Sequence, residues 1–209
     1  MKISKFGHAC LLVEEDGVKI LVDPGAFSKG FEGLKDVKAV FITHQHPDHI
    51  TPDTLAEVRK VNPNVLVYAD AGTAKVLHDE DIKVVHAGDA FDVDGVSVVV
   101  HGNDHAVIHP DMPIVENVGF MIAKRLFIPG DAFTVPDVPV ELLALPIGAP
   151  WSKISEVIDY MMAVKPKVAF PVHDAVLAMP GMHVNMAKSF ADKTGVTLMT
   201  IEDGESAEF

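Results

Sequence analysis

The sequence predicts an α/β fold built as a layered sandwich. Three observations carry this. Apolar runs meet across the dipeptides Asp16-Gly17 and Asp94-Gly95, and Asp-Gly between apolar segments is a strong hairpin signal. Segments with helical spacing then alternate with short apolar runs, as they do in layered α/β domains. A histidine-dense segment directly follows one of those runs, and such folds gather site residues just past strand ends.

Taken in order, Ala9 to Glu15 and Val18 to Val22 form the first predicted hairpin. Ala39 to Thr43 reads as a buried strand, being short, continuous and apolar. Thr51-Pro52 opens a helix to about Val61, with a capping hydroxyl followed by proline at the first helical position. Val65 to Ala69 and Ile82 to Val85 are expected strands on either side of a short helix, Ala71 to Leu77. Ala90 to Val93 and Val96 to Val100 form the second hairpin, and Val118 to Ala123 pairs with Leu126 to Ile128 about Lys124-Arg125. Leu142 to Leu145 and Val168 to Phe170 are strands that flank a helix over Ser152 to Val164, apolar at Ile154, Val157, Ile158, Met161 and Met162. Met182 to Lys193 is the last helix. An internal echo runs through this order: Leu21-Val22-Asp23-Pro24-Gly25-Ala26-Phe27 resembles Phe127-Ile128-Pro129-Gly130-Asp131-Ala132-Phe133. Each ends a hairpin, and downstream of each a strand ends in histidine, at His44 and His173. A duplicated chain would bring those two strand ends to one edge.

At 209 residues and 48% apolar composition, one domain over residues 1–209 with a large core is expected. No apolar run is long enough to span a bilayer, and Met1 to His8 lacks the long apolar stretch of a signal peptide. The single cysteine, Cys10, sits in an apolar strand and reads as a small buried hydrophobe. A reducing cytoplasm fits these features. The net charge is −13 and no basic run occurs, which argues against nucleic acid and against anionic membranes as partners. A small-molecule substrate is expected; the oligomeric state is open.

The chemistry concentrates in His44-Gln45-His46-Pro47-Asp48-His49. Imidazole and carboxylate donors together suit Zn²⁺, Mn²⁺ or Fe²⁺ and not an all-oxygen Ca²⁺ or Mg²⁺ cage. With Asp23, Gly130-Asp131 and His173 in order around it, the segment resembles the metallo-β-lactamase superfamily signature His-x-His-x-Asp-His. The likeness runs from Gly7-His8 to Val172-His173, and Gly7-His8-Ala9-Cys10 and Val22-Asp23-Pro24-Gly25 resemble a branch of small metal-dependent hydrolases that includes ascorbate-phosphate lactonases. The resemblance implies a four-layer αββα sandwich with two divalent metal ions at one edge, Zn²⁺ foremost, with Mn²⁺ or Fe²⁺ as alternatives. It implies that His44, His46 and one later histidine hold the first metal, that Asp48, His49 and His173 hold the second, and that Asp131 bridges them. The later histidine is His101, His105 or His109; the words around His105 resemble branch members in which the histidine before alanine is the ligand. His101 directly ends a strand, and His109 is a candidate for a group outside the ligand set or facing substrate.

The implied activity is attack of a metal-activated water on a small ester, lactone, amide, thioester or phosphodiester, with Asp48 orienting the nucleophile and carrying a proton. Metal-bound imidazoles usually pass their other N–H to a carboxylate or carbonyl, so Asp23 and Asp174 are candidates for that role, each also readable as a turn or helix cap. His8 is either a site residue or a satisfied buried histidine, and Trp151 either walls the pocket or simply packs. Two other classes stay open: a mononuclear non-haem iron dioxygenase of the same superfamily, and a non-catalytic metal-binding domain.

Overall fold

The computed structural model describes residues 1–209. The first half of the chain runs β1 (Lys2–Lys5), β2 (Leu11–Glu15), β3 (Val18–Val22), β4 (Val37–Phe41), α1 (Pro52–Val61), β5 (Leu66–Ala69), α2 (Ala71–Leu77) and β6 (Lys83–Val84). The second runs β7 (Ala90–Val93), β8 (Val96–His101), β9 (Gly119–Ile122), β10 (Leu126–Ile128), β11 (Leu142–Pro146), α3 (Ile154–Val164), β12 (Val168–Val172), α4 (Pro180–Thr194) and β13 (Thr197–Leu198), before β14 (Ser206–Glu208) returns to the first sheet.

Local chemistry explains the turns. Asp16 and Gly17 take φ of 50° and 81°, and Asp94 and Gly95 take 49° and 99°, the positive values a two-residue type I′ turn requires at both central positions. The third hairpin turns at Ala123 and Lys124, φ 52° and 56°, one residue earlier than the expected Lys124-Arg125. Helix α1 starts as read: Thr51 Oγ1 accepts the Thr54 N–H at 3.1 Å. Helix α3 ends at Lys165, φ 50°, ahead of Pro166. Helix α4 begins at Pro180 rather than Met182, because proline is suited to a first turn whose N–H has no partner.

Two seven-stranded sheets result, ordered β14-β1-β2-β3-β4-β5-β6 and β13-β12-β11-β10-β9-β8-β7. Side-chain alternation sorts residues between layers. Ile20, Val22, Ala39 and Phe41 of the first sheet meet Val98, Phe120, Ile122 and Phe170 of the second in one core, where Phe41 stacks on Phe120 at 4.6 Å. The opposite faces carry helices: Leu21 and Val40 pack with Leu55 and Val58 of α1, and Phe127 and Leu143 pack with Val157 and Met161 of α3. Fully burying such a side chain contributes about 1.5–3 kcal/mol each. The architecture is therefore the layered α/β sandwich that the sequence predicts, in the four layers, αββα, that the resemblance implies.

Each sheet repeats one plan: an antiparallel hairpin followed by parallel strands. β3 pairs parallel with β4 and β4 with β5, just as β10 pairs parallel with β11 and β11 with β12. The echo of segment 21–27 with segment 127–133 follows this plan, since each runs out of the second strand of its hairpin. The echo of His44 with His173 does not. His44 follows β4, whose counterpart is β11, whereas His173 follows β12, whose counterpart is β5.

Three strands carry no readable sequence signal: β1, β13 and β14. β14 pairs antiparallel with β1, Lys2 opposite Glu208, which joins the two ends of the chain. Cys10 departs from the sequence reading. It is buried, but with His8, φ 51°, it lies in the connection between β1 and β2 and not within a strand. No helix is long and apolar enough to cross a membrane.

Candidate metal centre

The site residues hang from strand ends at one edge of the sandwich. Asp23 follows β3, the His44 to His49 segment follows β4, Asp131 follows β10 and His173 follows β12. His105 comes from the loop after β8. Close approach shapes these connections. A Cβ on Gly25 would fall 1.9 Å from the Asp48 carbonyl oxygen, and one on Gly130, φ 66°, would fall 2.4 Å from Asn117 Oδ1. Glycine is the residue that fits both places. Asn117 fastens the second turn, its Oδ1 accepting the Asp131 N–H and its Nδ2 donating to the Pro129 carbonyl, each at 2.9 Å.

These connections converge on Asp131. Its Oδ1 lies 3.1 Å from His49 Nε2, and its Oδ2 lies 2.9 Å from His173 Nε2 and 3.5 Å from His105 Nε2. Asp48 Oδ2 is 3.4 Å from His173 Nε2 and 3.9 Å from His49 Nε2. His44 Nε2 is 3.0 Å from His46 Nδ1. Three donor sets lie close enough to hold a cation: His44, His46 and His105; His44, His49 and Asp131; and His8, Asp48, His49 and His173.

The tautomers follow from the outer contacts. His49 Nδ1 faces Asp23 Oδ2 at 2.9 Å, His105 Nδ1 faces the Ala106 carbonyl at 2.5 Å, and His173 Nδ1 faces the Gly148 carbonyl at 2.7 Å. Each partner accepts only, so each Nδ1 carries a proton and each Nε2 faces inward, free to give its lone pair to a cation that displaces any proton there. Thr43 Oγ1 donates to Asp23 Oδ2 at 2.8 Å and so accepts from His44 Nδ1 at 3.1 Å. His49 Nε2, His105 Nε2, His173 Nε2 and Asp131 Oδ1 are buried and have no hydrogen-bond partner. Buried polar atoms are ordinarily satisfied, and convergent imidazole lone pairs with an ionised carboxylate fit a divalent cation.

Electrostatics agree with that fit. Burial alone would raise the Asp131 carboxyl, but His49, His105 and His173 hold it well below the usual carboxylate range. Burial likewise opposes ionisation of Asp48, and His173 and His8 reverse this. Burial would lower His49, yet Asp131 and Asp23 push it well above the ordinary histidine value; His173, despite burial, is raised to about 9 by Asp131 and Asp48. Two ionised carboxylates thus demand positive charge from whatever lies between them.

The remaining candidates separate. His8 is buried; its Nδ1 accepts the Ala175 N–H at 3.3 Å, so its Nε2 carries the proton and donates to Asp48 Oδ2 at 3.1 Å. Asp23 is fully buried and holds both His49 and the Thr43 N–H. Asp174 contacts none of the clustered histidines; its Oδ2 lies 2.5 Å from Lys5 Nζ. His101 ends β8 opposite Gly119 and sets its ring on Phe127, outside the cluster. His109 is exposed and faces Asp111. Trp151, readable either way, donates Nε1–H to Asp131 Oδ2 at 2.8 Å. Thr43 and Asn117 were not singled out from sequence. Thr43 had one available signal, its place directly before His44; Asn117 had none.

Comparison with known proteins agrees with the fold. The family model described as a β-lactamase superfamily domain matches residues 2–173. The chain belongs to the metallo-β-lactamase superfamily. It is 45% identical over 183 residues to protein Rv0786c of Mycobacterium tuberculosis, covering 85% of this chain and 86% of that one. It is 26% identical to a UPF0173 metal-dependent hydrolase of Carboxydothermus hydrogenoformans, over 98% of both chains. Among solved structures, Igni18, a metallo hydrolase of Ignicoccus hospitalis, superposes with a TM-score of 0.74 at 21% identity, over 100% of this chain and 98% of that one.

Proposed function

We propose that this chain hydrolyses a small substrate at a pair of divalent cations, Zn²⁺ foremost. His44, His46 and His105 would hold one cation, Asp48, His49 and His173 would hold the other, and Asp131 would serve both. The observation that carries the reading is the set of three inward-facing Nε2 atoms around Asp131, each with its Nδ1 proton already committed. Bound cations supply Lewis acidity for the scissile group and lower the pKa of a water to about 7.

The chain's own groups do the rest. Asp23, the Ala106 carbonyl and the Gly148 carbonyl fix the rings of His49, His105 and His173. His8 donates to Asp48 and so orients a carboxylate that is ionised and able to accept a hydrogen bond from water. Trp151 donates to Asp131 and holds it against rotation. A cytoplasmic location suits a chain whose one cysteine is buried and whose thiol is pushed up by burial.

The test is metal content together with turnover. Metal-free protein loaded separately with Zn²⁺, Mn²⁺ and Fe²⁺ should bind about two equivalents of at least one of them and hydrolyse members of an ester, lactone, thioester and phosphodiester panel. Metal content near zero with all three ions, or iron-dependent O₂ consumption with no hydrolysis, would sink the reading.

A further inference from the structure

A cleft of about 310 Å³ opens beside the cluster, with His46 and His105 among its lining residues. The loop from Ala106 to Val115 forms its apolar wall, and Gln45 is its remaining polar group. Ile108, Met112 and Ile114 line it while keeping 40%, 51% and 55% of their surface exposed. Contiguous apolar exposure on one loop marks a binding surface. No lysine or arginine lines the cleft. The loop carries Asp111 and is flanked by Asp104 and Glu116, all exposed, on a chain of net charge −13. A larger cavity, about 630 Å³, lies between α4 and the segment from Thr200 to Asp203. Its cation, Lys5, is already paired with Asp174 at 2.5 Å and Asp203 at 3.3 Å, so it offers no free charge to an anion.

From this we infer the substrate class, resting on the metal-centre reading above: an uncharged ester or lactone whose apolar chain lies along Ile108, Met112 and Ile114 while its carbonyl faces the His/Asp cluster. An anionic phosphodiester would find no basic side chain in the cleft to receive it. Size sets the chain. An apolar cavity of about 150 Å³ holds benzene, so this cleft holds roughly twice that, a chain of about six to ten carbons. The reaction balances with water alone. The water oxygen bonds to the carbonyl carbon, the acyl C–O bond breaks, one water proton leaves with the alcohol oxygen, and an acid and an alcohol result.

Straight-chain hydroxamic acids from two to eight carbons, titrated calorimetrically into zinc-loaded protein, read head and tail separately. The head reports the cation centre and the tail reports the cleft. Affinity should rise about threefold to fourfold per methylene, the value of a buried CH₂. The double variant Met112→Ser, Ile114→Ser should lose most of that rise while keeping its zinc and its affinity for acetohydroxamate; both side chains are half exposed, so folding is spared. p-Nitrophenyl octanoate should turn over faster than p-nitrophenyl acetate, and bis(p-nitrophenyl) phosphate slowest. Chain-length independence with acetohydroxamate still bound overturns the cleft assignment and leaves the metal centre standing, as does a phosphodiester rate above every ester. Protein that takes up no zinc and binds no hydroxamate removes the metal centre, and this inference with it.

Discussion

His101 and His105 share one short stretch of chain, and their surroundings set them apart. His101 sits at a strand end against Phe127, with burial lowering its pKa. His105 is buried with its Nε2 turned to Asp131 and its ring edge-on to those of His44 and His46. We therefore expect His105→Ala to cost at least one equivalent of metal, and His101→Ala to leave metal content unchanged, by elemental analysis of reconstituted protein. Asp23→Asn should act more mildly, lowering metal affinity about 10- to 100-fold, the usual effect of losing a carboxylate behind a ligand histidine. A His101→Ala variant that arrives without metal while His105→Ala keeps two equivalents would reverse the assignment. Alternation along β8 places residues on faces but says nothing about where the loop after it folds. The sequence therefore names both histidines as candidates, and the coordinates separate them.

At the scale of elements, the readable ones are those with a local cause. Asp-Gly turns, the Thr51-Pro52 helix start and the apolar spacing of α3 each act within a few residues, so their signal is concentrated. β1 has one fully buried core residue, Ile3, among Lys2, Ser4 and Lys5. It exists because β2 and β14 pair with it, and β14 comes from the far end of the chain. No local window contains that cause.

Helix α2 offers a test at this scale. Asp70 caps it, accepting the Thr73 N–H at 2.9 Å and the Thr73 hydroxyl. Burial, opposed by those bonds and reinforced by the neighbouring Glu116 carboxylate, pushes Asp70 up to about 6 from 3.8. Between those values the folded chain keeps a proton that the unfolded chain releases. Stability from this group therefore falls as pH rises from 3.8 through about 6. Asp70→Asn keeps a capping oxygen and removes the titration. The melting temperature of the variant relative to the parent should rise by about 2–4 °C from pH 4 to pH 7, the size expected of roughly 1 kcal/mol in a chain this long. Parallel melting curves across that range would show that Asp70 ionises as an ordinary carboxylate.

For the whole molecule, charge and metal compete for one set of atoms. In metal-free protein, His173 is raised to about 9 from 6.5. Its proton therefore stabilises the fold fully below 6.5, and that contribution fades as pH climbs through about 9. A bound cation replaces the proton and binds better as protons stop competing. The gap in melting temperature between zinc-loaded and chelated protein should widen from pH 6.5 to pH 9, followed by intrinsic fluorescence. A constant gap would mean that zinc and the His173 proton do not share a site.

The sequence by itself determined the donor types and their spacing, the hairpins, three of the helices closely, and the sandwich class. Each of these rests on contacts close along the chain or on a periodicity that one segment displays alone. Tertiary structure decided the rest. It turned His105 to Asp131 and left His101 on Phe127. It moved Asp174 to Lys5, and gave Trp151 and His8 carboxylate partners. It showed that His44 and His173 follow strands that are not counterparts in the two sheets, and it brought the loop from Ala106 to Val115 beside His46. These choices depend on how two sheets pack face to face. The packing is set by the shared core around Phe41 and Phe120, which come from distant parts of the chain.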